Sequence, residues 1–90
     1  MQPEGLISVL LDKHAEYGDR DDAAMDLGAY DDAEAERALI SIVTDTSEDE
    51  DIADSAGESL LQIWNRKNKS DSELISKMHP AAKKFFANSK

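Results

Sequence analysis

The apolar residues of the chain recur every three or four positions in several segments, which is the spacing of one face of an α-helix. Around Leu6 the apolar stripe is broad, and it predicts a helix over about residues 3–16 that Gly18 ends. The next segment has a narrow face of small residues, and it predicts a short helix that Asp19 caps and Gly28 ends. These two helices form the first predicted hairpin.

A second hairpin is predicted in the middle of the chain. Asp31 or Asp32 is the expected N-cap of a helix whose apolar stripe is centred on Leu39 and extends to about residue 45. An acidic loop over residues 46–51 follows, and the next helix carries its apolar stripe as far as Trp64. This helix fades in the polar run that begins directly after the tryptophan.

The last segment predicts a third helix of the same type as the first helix of each hairpin. It begins at Leu74, is interrupted by Pro80 and continues to about Ala87, because proline removes a backbone N–H and clashes with the preceding turn. All the predicted elements are helices, and the predicted fold class is therefore all-α.

The chain also matches itself at an offset of 33 residues, which places Leu6-Ile7-Ser8 on Leu39-Ile40-Ser41. The same three residue types occur again at Leu74-Ile75-Ser76. A period of this length with two helices in each unit is typical of a helical solenoid, in which stacked hairpins bury one continuous core. We predict a single domain over residues 1–90, with repeat units at about 3–30 and 31–68 and a partial unit at 71–88.

Part of this pattern resembles the HEAT-like repeat proteins. The stretch from Arg20 to Gly28 contains paired small residues, and together with Ala35 to Leu39 it is similar to the second helix of one HEAT-like unit and the first helix of the next. The resemblance covers roughly residues 5–66. It implies a short right-handed α-solenoid of about two and a half helical hairpins, in which the second helices line a concave binding surface.

The distribution of charge along the chain predicts the kind of partner. The chain has 20 acidic and 10 basic residues, and the acidic excess is concentrated in residues 1–58, which hold 18 Asp and Glu against three Lys and Arg. Residues 59–90 hold two acidic and seven basic residues. An acidic body of this kind favours a basic protein as partner, and it opposes binding to nucleic acid or to anionic membranes.

Catalysis and bound cofactors are not expected. The chain has no cysteine, its two histidines, His14 and His79, fall in different units, and no catalytic or phosphate-binding motif occurs. Residues 45–49 alternate oxygen side chains as a calcium loop does, but Glu50 stands where that loop requires glycine and Ala56 where it requires a bidentate glutamate. We therefore predict no enzyme, no cofactor and no metal site.

The location predicted from the sequence is cytoplasmic. No apolar run approaches the roughly 20 residues of a membrane-spanning helix. The first residues, Met1-Gln2-Pro3-Glu4, lack the basic and apolar regions of an export signal.

The partner-binding surface is predicted on the second helices and on the acidic loop. The 33-residue offset sets Asp21 beside Asp54 and Met25 beside Glu58, as an acidic ladder on neighbouring helices. Two tyrosines at hairpin ends add candidate aromatic contacts. The alternative interpretation is that these carboxylates are solvated and only stabilise helix N-termini. The candidate partner-binding residues are Tyr17, Asp19, Asp21, Asp22, Met25, Asp26, Tyr30, Glu48, Asp49, Glu50, Asp51, Asp54 and Glu58.

In character the chain is similar to bacterial immunity proteins of the contact-dependent inhibition type, which neutralise nuclease toxins. That resemblance implies a monomer that binds one basic toxin domain tightly and one-to-one, with carboxylates in the places that substrate phosphates would take. The alternative hypothesis is a HEAT-like adaptor or regulatory module without a toxin partner.

Overall fold

The computed structural model describes residues 3–87, and in this part of the chain it contains six α-helices, one short 3₁₀ turn and no strand. The all-α prediction is confirmed. The helices are α1 (Pro3–Leu11), α2 (Tyr17–Asp26), α3 (Ala33–Val43), α4 (Glu50–Lys67), α5 (Ser72–Ser76) and α6 (Pro80–Ala87), and the 3₁₀ turn (Leu27–Ala29) follows α2.

Aspartate side chains begin three of the helices. The Asp32 carboxylate accepts hydrogen bonds from the N–H groups of Glu34 and Ala35, at 2.8 and 3.0 Å, at the start of α3. Asp49 caps α4 and Asp71 caps α5 in the same manner. Each cap satisfies N–H groups that have no partner inside the first helical turn. Of the two aspartates considered for α3, Asp32 is the cap.

Helix α1 ends at Leu11 rather than at about residue 16. The carbonyl oxygen of Leu10 accepts a hydrogen bond from Arg20 Nε at 3.0 Å, where a longer helix would supply a backbone N–H. The N–H of His14 instead donates to the Asp12 carboxylate at 2.9 Å. The helix therefore stops where a side chain of α2 takes over its terminal carbonyl group.

Neither of the two glycines predicted to end a helix does so. Gly18 is the second residue of α2, which begins at Tyr17 without a side-chain cap, and the cap predicted at Asp19 is wrong. Gly28 lies buried in the 3₁₀ turn, where an added Cβ would come within 2.9 Å of Ser59 Oγ. Gly28 thus permits a close contact between the turn and α4.

Helix α4 is the centre of the fold, because it packs against α2, α3 and α6, while α1 packs against α2 and α3. Its buried face extends from Ile52 to Trp64, as its apolar period predicts. Trp64 meets Phe86 of α6 edge to face, with ring centroids 5.4 Å apart. Apart from Ala53, the buried apolar side chains form one continuous cluster that begins at Leu6.

The C-terminal segment differs from the single interrupted helix that the sequence predicts. Helix α5 is short, and α6 begins at Pro80, where the missing N–H of proline costs nothing. Helix α6 then packs against α4, whereas a helix of the predicted first-helix type would stack on α3. Gly57 allows this contact, since a Cβ at that position would lie 2.8 Å from Ala82 Cα. Residue 88, the predicted end of the partial unit, lies outside the described residues.

Candidate protein-binding surface

Glu48, predicted on the partner-binding surface, lies inside the fold. Its side chain is 4% exposed, and its carboxylate accepts hydrogen bonds from Arg20 Nη2 at 2.7 Å and Nη1 at 3.2 Å. Lys13, which is half exposed, pairs with the same carboxylate from the solvent side. Glu48 thus joins the loop before α4 to α2 and to the turn after α1.

The same contacts determine the ionisation state of Glu48. Burial raises the pKa of its carboxyl, but hydrogen bonds from Arg20, Lys13 and the N–H of Asp49 outweigh burial and bring the pKa to about 2. The negative charge is therefore kept at neutral pH and is neutralised within the chain. It does not contribute an outward-facing acidic group.

A second buried carboxylate, Glu36, is not among the residues predicted from the sequence. It accepts hydrogen bonds from Trp64 Nε1 at 2.9 Å and from Lys67 and Lys69 at 2.7 Å each. Burial raises the pKa of Glu36, but these three donors together lower it to about 2. Glu36 therefore ties α3 to the C-terminal end of α4.

Helical spacing contains a signal for both buried charges. Arg20 precedes Ala23 and Ala24 by three and four residues, so it shares the apolar side of α2. Glu36 precedes Leu39 by three residues and is buried with it on α3. A charged residue in register with an apolar stripe predicts a buried ion pair, although it does not identify the partner.

Tyr17 joins the N-terminal ends of α2 and α4. Its hydroxyl donates a hydrogen bond to the Asp51 carboxylate. That bond, with smaller contributions from burial and from neighbouring carboxylates, raises the pKa of Tyr17 to about 12. The residue is 49% exposed, so the ring is held in place and still accessible to a partner.

The acidic ladder predicted between α2 and α4 is only partly assembled. Asp21 accepts a hydrogen bond from Ser55 Oγ at 2.7 Å. Asp54, predicted beside it, instead pairs with Lys84 of α6. Met25 is 50% exposed on α2, and Glu58 is exposed on α4. The structure therefore places a neutralised carboxylate where the ladder required a free one.

Three other candidate carboxylates lie along a groove between α1 and α2. Asp19, Asp22 and Asp26 are exposed, and their spacing of three and four residues places them on one side of α2. The groove has a volume of about 320 Å³, and we call it the α1–α2 groove. Its lining residues are Leu6, Val9, Asp19, Asp22, Ala23 and Asp26.

The cations of the chain are distributed unevenly around this surface. In the part of the chain that the structure describes there are nine ion pairs, and none includes a carboxylate of α2. Arg20, the one basic residue of α2, points into the core towards Glu48. The negative charge along α2 is therefore not balanced by any of these pairs.

The remaining candidates divide between the surface and the fold. Tyr30 is half buried and packs against the core, while its carbonyl oxygen accepts a hydrogen bond from Arg66. Asp49 is occupied as the cap of α4. Glu50 is exposed in the first turn of that helix, close to the Tyr17 contact. This end of α4 remains acidic and accessible.

The two histidines lie in different surroundings. His79 is buried, its Nδ1 accepts a hydrogen bond from the N–H of Ala81 at 3.0 Å, and its Nε2 lies 3.1 Å from the carbonyl oxygen of Glu48. Because Nδ1 is an acceptor here, the proton of the neutral ring is on Nε2. His14 is exposed in the turn after α1.

Metal-binding and membrane-spanning features were searched for among residues 3–87. No group of three His, Asp or Glu side chains in this range has the arrangement to hold a metal ion. Asp45, the first residue of the calcium-like stretch, accepts hydrogen bonds from the N–H and hydroxyl of Ser47 at 3.0 and 2.7 Å. No helix in the same range combines the length and apolarity needed to cross a bilayer.

Comparisons with protein-family models, with curated proteins and with solved structures find no match for this chain. A functional proposal therefore depends on the charge and shape of the surfaces described above.

Proposed function

We propose that this protein is an acidic protein-binding module, and that it acts as an immunity protein which neutralises a basic, nuclease-type toxin in the bacterial cytoplasm. One observation carries the proposal: the carboxylates of α2 are outside all nine ion pairs of the described residues, while eight basic side chains are paired elsewhere. Solubility alone does not require that cations be kept away from one helix. Complementarity to a basic partner accounts for this distribution of charge.

In this proposal the helices form a short right-handed α-solenoid of HEAT-like hairpins. The first hairpin is α1 with α2, and the second is α3 with α4. Contacts of α1 with α3 and of α2 with α4 support this arrangement, because stacked hairpins pack first helix on first helix and second on second. Helices α5 and α6 form the shorter terminal unit, with α6 against α4.

The proposed mechanism is occlusion rather than chemistry. The negative field of α2 steers a basic protein towards it and raises the association rate. Buried pairs such as Glu48 with Arg20 hold the surface in one shape, which lowers the entropic cost of binding. Carboxylates then occupy the positions of substrate phosphates in the toxin cleft, in a one-to-one complex without cofactor or metal.

The test is capture followed by inhibition. The protein is used as bait in lysate of its source cell, together with the products of adjacent genes, and each retained protein is assayed for nuclease activity. We expect one basic nuclease whose activity falls to background at one molar equivalent of the bait, with a one-to-one complex in sedimentation.

Two outcomes contradict the immunity proposal. A captured nuclease that stays active at excess bait shows binding without neutralisation. Several non-nuclease partners of moderate affinity favour the adaptor hypothesis instead. Heat-denatured bait is the control for retention by charge alone.

A further inference from the structure

We infer that the α1–α2 groove is the docking site for a helical segment of the partner, one that carries Lys or Arg side chains at three- and four-residue spacing beside a single aliphatic side chain. This inference rests on the proposed function, since it assigns the contact surface of the same basic partner. It differs from the ladder predicted from the sequence, because the groove lies on the α1 side of α2.

The shape of the groove calls for an apolar anchor. Leu6 and Ala23 line it with 7% and 2% of their surface exposed, and Val9 lies half-buried beside them. The volume of about 320 Å³ is at the small end of ligand pockets, which span about 300–1,000 Å³. It accommodates an aliphatic side chain rather than a large ligand. Covering these residues would remove apolar surface from water.

The charge of the groove calls for cations in a row. Asp19 and Asp26 are separated by about 10 Å along the axis of α2, at about 1.5 Å per residue, and Asp22 lies between them. A partner helix beside α2 has the same rise, so its residues at equivalent spacing meet all three carboxylates. Like charges in one helical row repel each other. A cationic helix relieves that repulsion and places its aliphatic residue on the groove floor.

Two other depressions of the surface do not have this complementarity. The one between α1 and α3 contains both Glu34 and Arg37, which pair with each other at 2.8 Å. The one between α4 and α6 already contains a cation, since Lys84 pairs with Asp54 there. Neither presents an apolar floor beside a row of carboxylates without internal cations.

The experiment uses two synthetic helical peptides of identical composition and the 90-residue chain. In the probe peptide three lysines and one leucine share a face at three- and four-residue spacing, and in the scrambled peptide they are spread around the helix. Amide chemical shifts are followed during titration. We expect changes concentrated in residues 5–10 and 19–26, with affinity for the probe about tenfold higher than for the scrambled peptide. Shifts elsewhere, or equal affinities, would overturn the inference.

A matched pair of variants separates the groove from the general negative field. The groove variant is Asp22→Asn with Asp26→Asn, and the control variant, outside the groove, is Glu34→Gln with Glu73→Gln. All four positions are exposed, and the two variants change the net charge equally. We expect the groove variant to lose about tenfold in probe affinity and the control less than about threefold. Equal losses in the two variants would show long-range attraction only and would overturn the assignment.

The leucine of the probe gives an independent readout. Its replacement by serine leaves every charge in place, and we expect affinity to fall about fivefold if the side chain enters the groove. An unchanged affinity contradicts the apolar anchor.

The same variants separate this inference from the proposed function. If wild type and groove variant silence a captured nuclease equally, the groove assignment fails while the immunity proposal stands. If the probe binds the groove and no nuclease is captured, the immunity proposal fails while the groove assignment stands.

Discussion

The protein uses its carboxylates in two ways, and two regions show the extremes. In the interior, Glu36 and Glu48 have side chains 7% and 4% exposed, and each accepts hydrogen bonds from two cationic side chains. On the α1–α2 groove, Asp19, Asp22 and Asp26 are exposed, and no ion pair of residues 3–87 includes them. The acidic residues are therefore not spread uniformly over the surface. Where a carboxylate is buried in the interior, cations accompany it.

The interior pairs join segments that are far apart in sequence. Arg20 and Glu48 are separated by 28 residues, and Lys67 and Lys69 lie 31 and 33 residues from Glu36. The Arg20 pair joins α2 to the loop before α4, and the two lysine pairs join α3 to the C-terminal end of α4. The groove carboxylates make no such connection, so their removal is expected to affect binding and to spare the fold. Four predictions test this division, in order of decreasing effect.

The largest effect is expected at the buried arginine. Arg20→Met leaves Glu48 buried with Lys13 as its one cationic partner and removes the donor to the Leu10 carbonyl. We expect a loss of about 3–5 kcal/mol in the free energy of unfolding, the cost of breaking a buried pair. Urea unfolding followed by circular dichroism measures it. Arg37→Met, at an exposed pair, is the control and should change stability by less than about 0.5 kcal/mol. Similar values for the two variants would contradict the division.

A smaller loss is expected at the other buried carboxylate. Glu36→Gln keeps the shape of the side chain and an acceptor for Trp64, but it removes the charge that Lys67 and Lys69 share. We expect a loss of about 2 kcal/mol in the free energy of unfolding, in the range of hydrogen bonds to charged groups. Glu34→Gln is the exposed control, with little change expected. If Glu36→Gln leaves the free energy of unfolding unchanged, this carboxylate belongs with the exposed carboxylates that do not stabilise the fold.

The dependence of stability on pH has a definite sign. The folded pKa of Glu36 and of Glu48 is about 2, below the ordinary value of 4.5, so unfolding takes up protons at acid pH. Their contribution is complete above about pH 4.5 and is lost as the pH falls towards 2. We expect the wild-type free energy of unfolding to decrease over this interval, and Glu36→Gln to decrease less steeply. Because both proteins share the exposed carboxylates, comparing their slopes isolates the buried one. Identical slopes would contradict the assignment.

The smallest effect on stability is expected in the groove. Asp22→Asn with Asp26→Asn removes two like charges four residues apart, one of them at the C-terminal end of α2. Both changes relieve repulsion, from the neighbouring charge and from the helix dipole, so we expect a gain of up to about 0.5 kcal/mol. Thermal unfolding at low ionic strength measures it. A loss above about 1 kcal/mol would show that these carboxylates also hold the fold.

The helical period let the sequence predict much of the fold. The buried face of α4 from Ile52 to Trp64 follows the three- and four-residue spacing of its apolar residues, and Asp32 caps α3 as one of two aspartates considered. Such features are local, because a helix face and a capping side chain depend on residues within one or two turns. The candidate residues Asp19, Asp22 and Asp26 were also predictable locally, from the acidic character of their own segment.

The tertiary structure alone determined the features that depend on a residue distant in the sequence. Helix α1 stops at Leu11 because Arg20 takes the Leu10 carbonyl, and Glu48 is buried because that same arginine faces it. A repeat offset aligns residues along the chain, but it does not state which side chains meet. The carboxylates of α2 border a groove because α1 packs beside α2, and apolar side chains form the floor of that groove. Sequence alone determined which sides of the helices are apolar or acidic, since that follows from a period within each helix. Only packing determined which of those sides face each other, because that is settled by contacts between residues tens of positions apart.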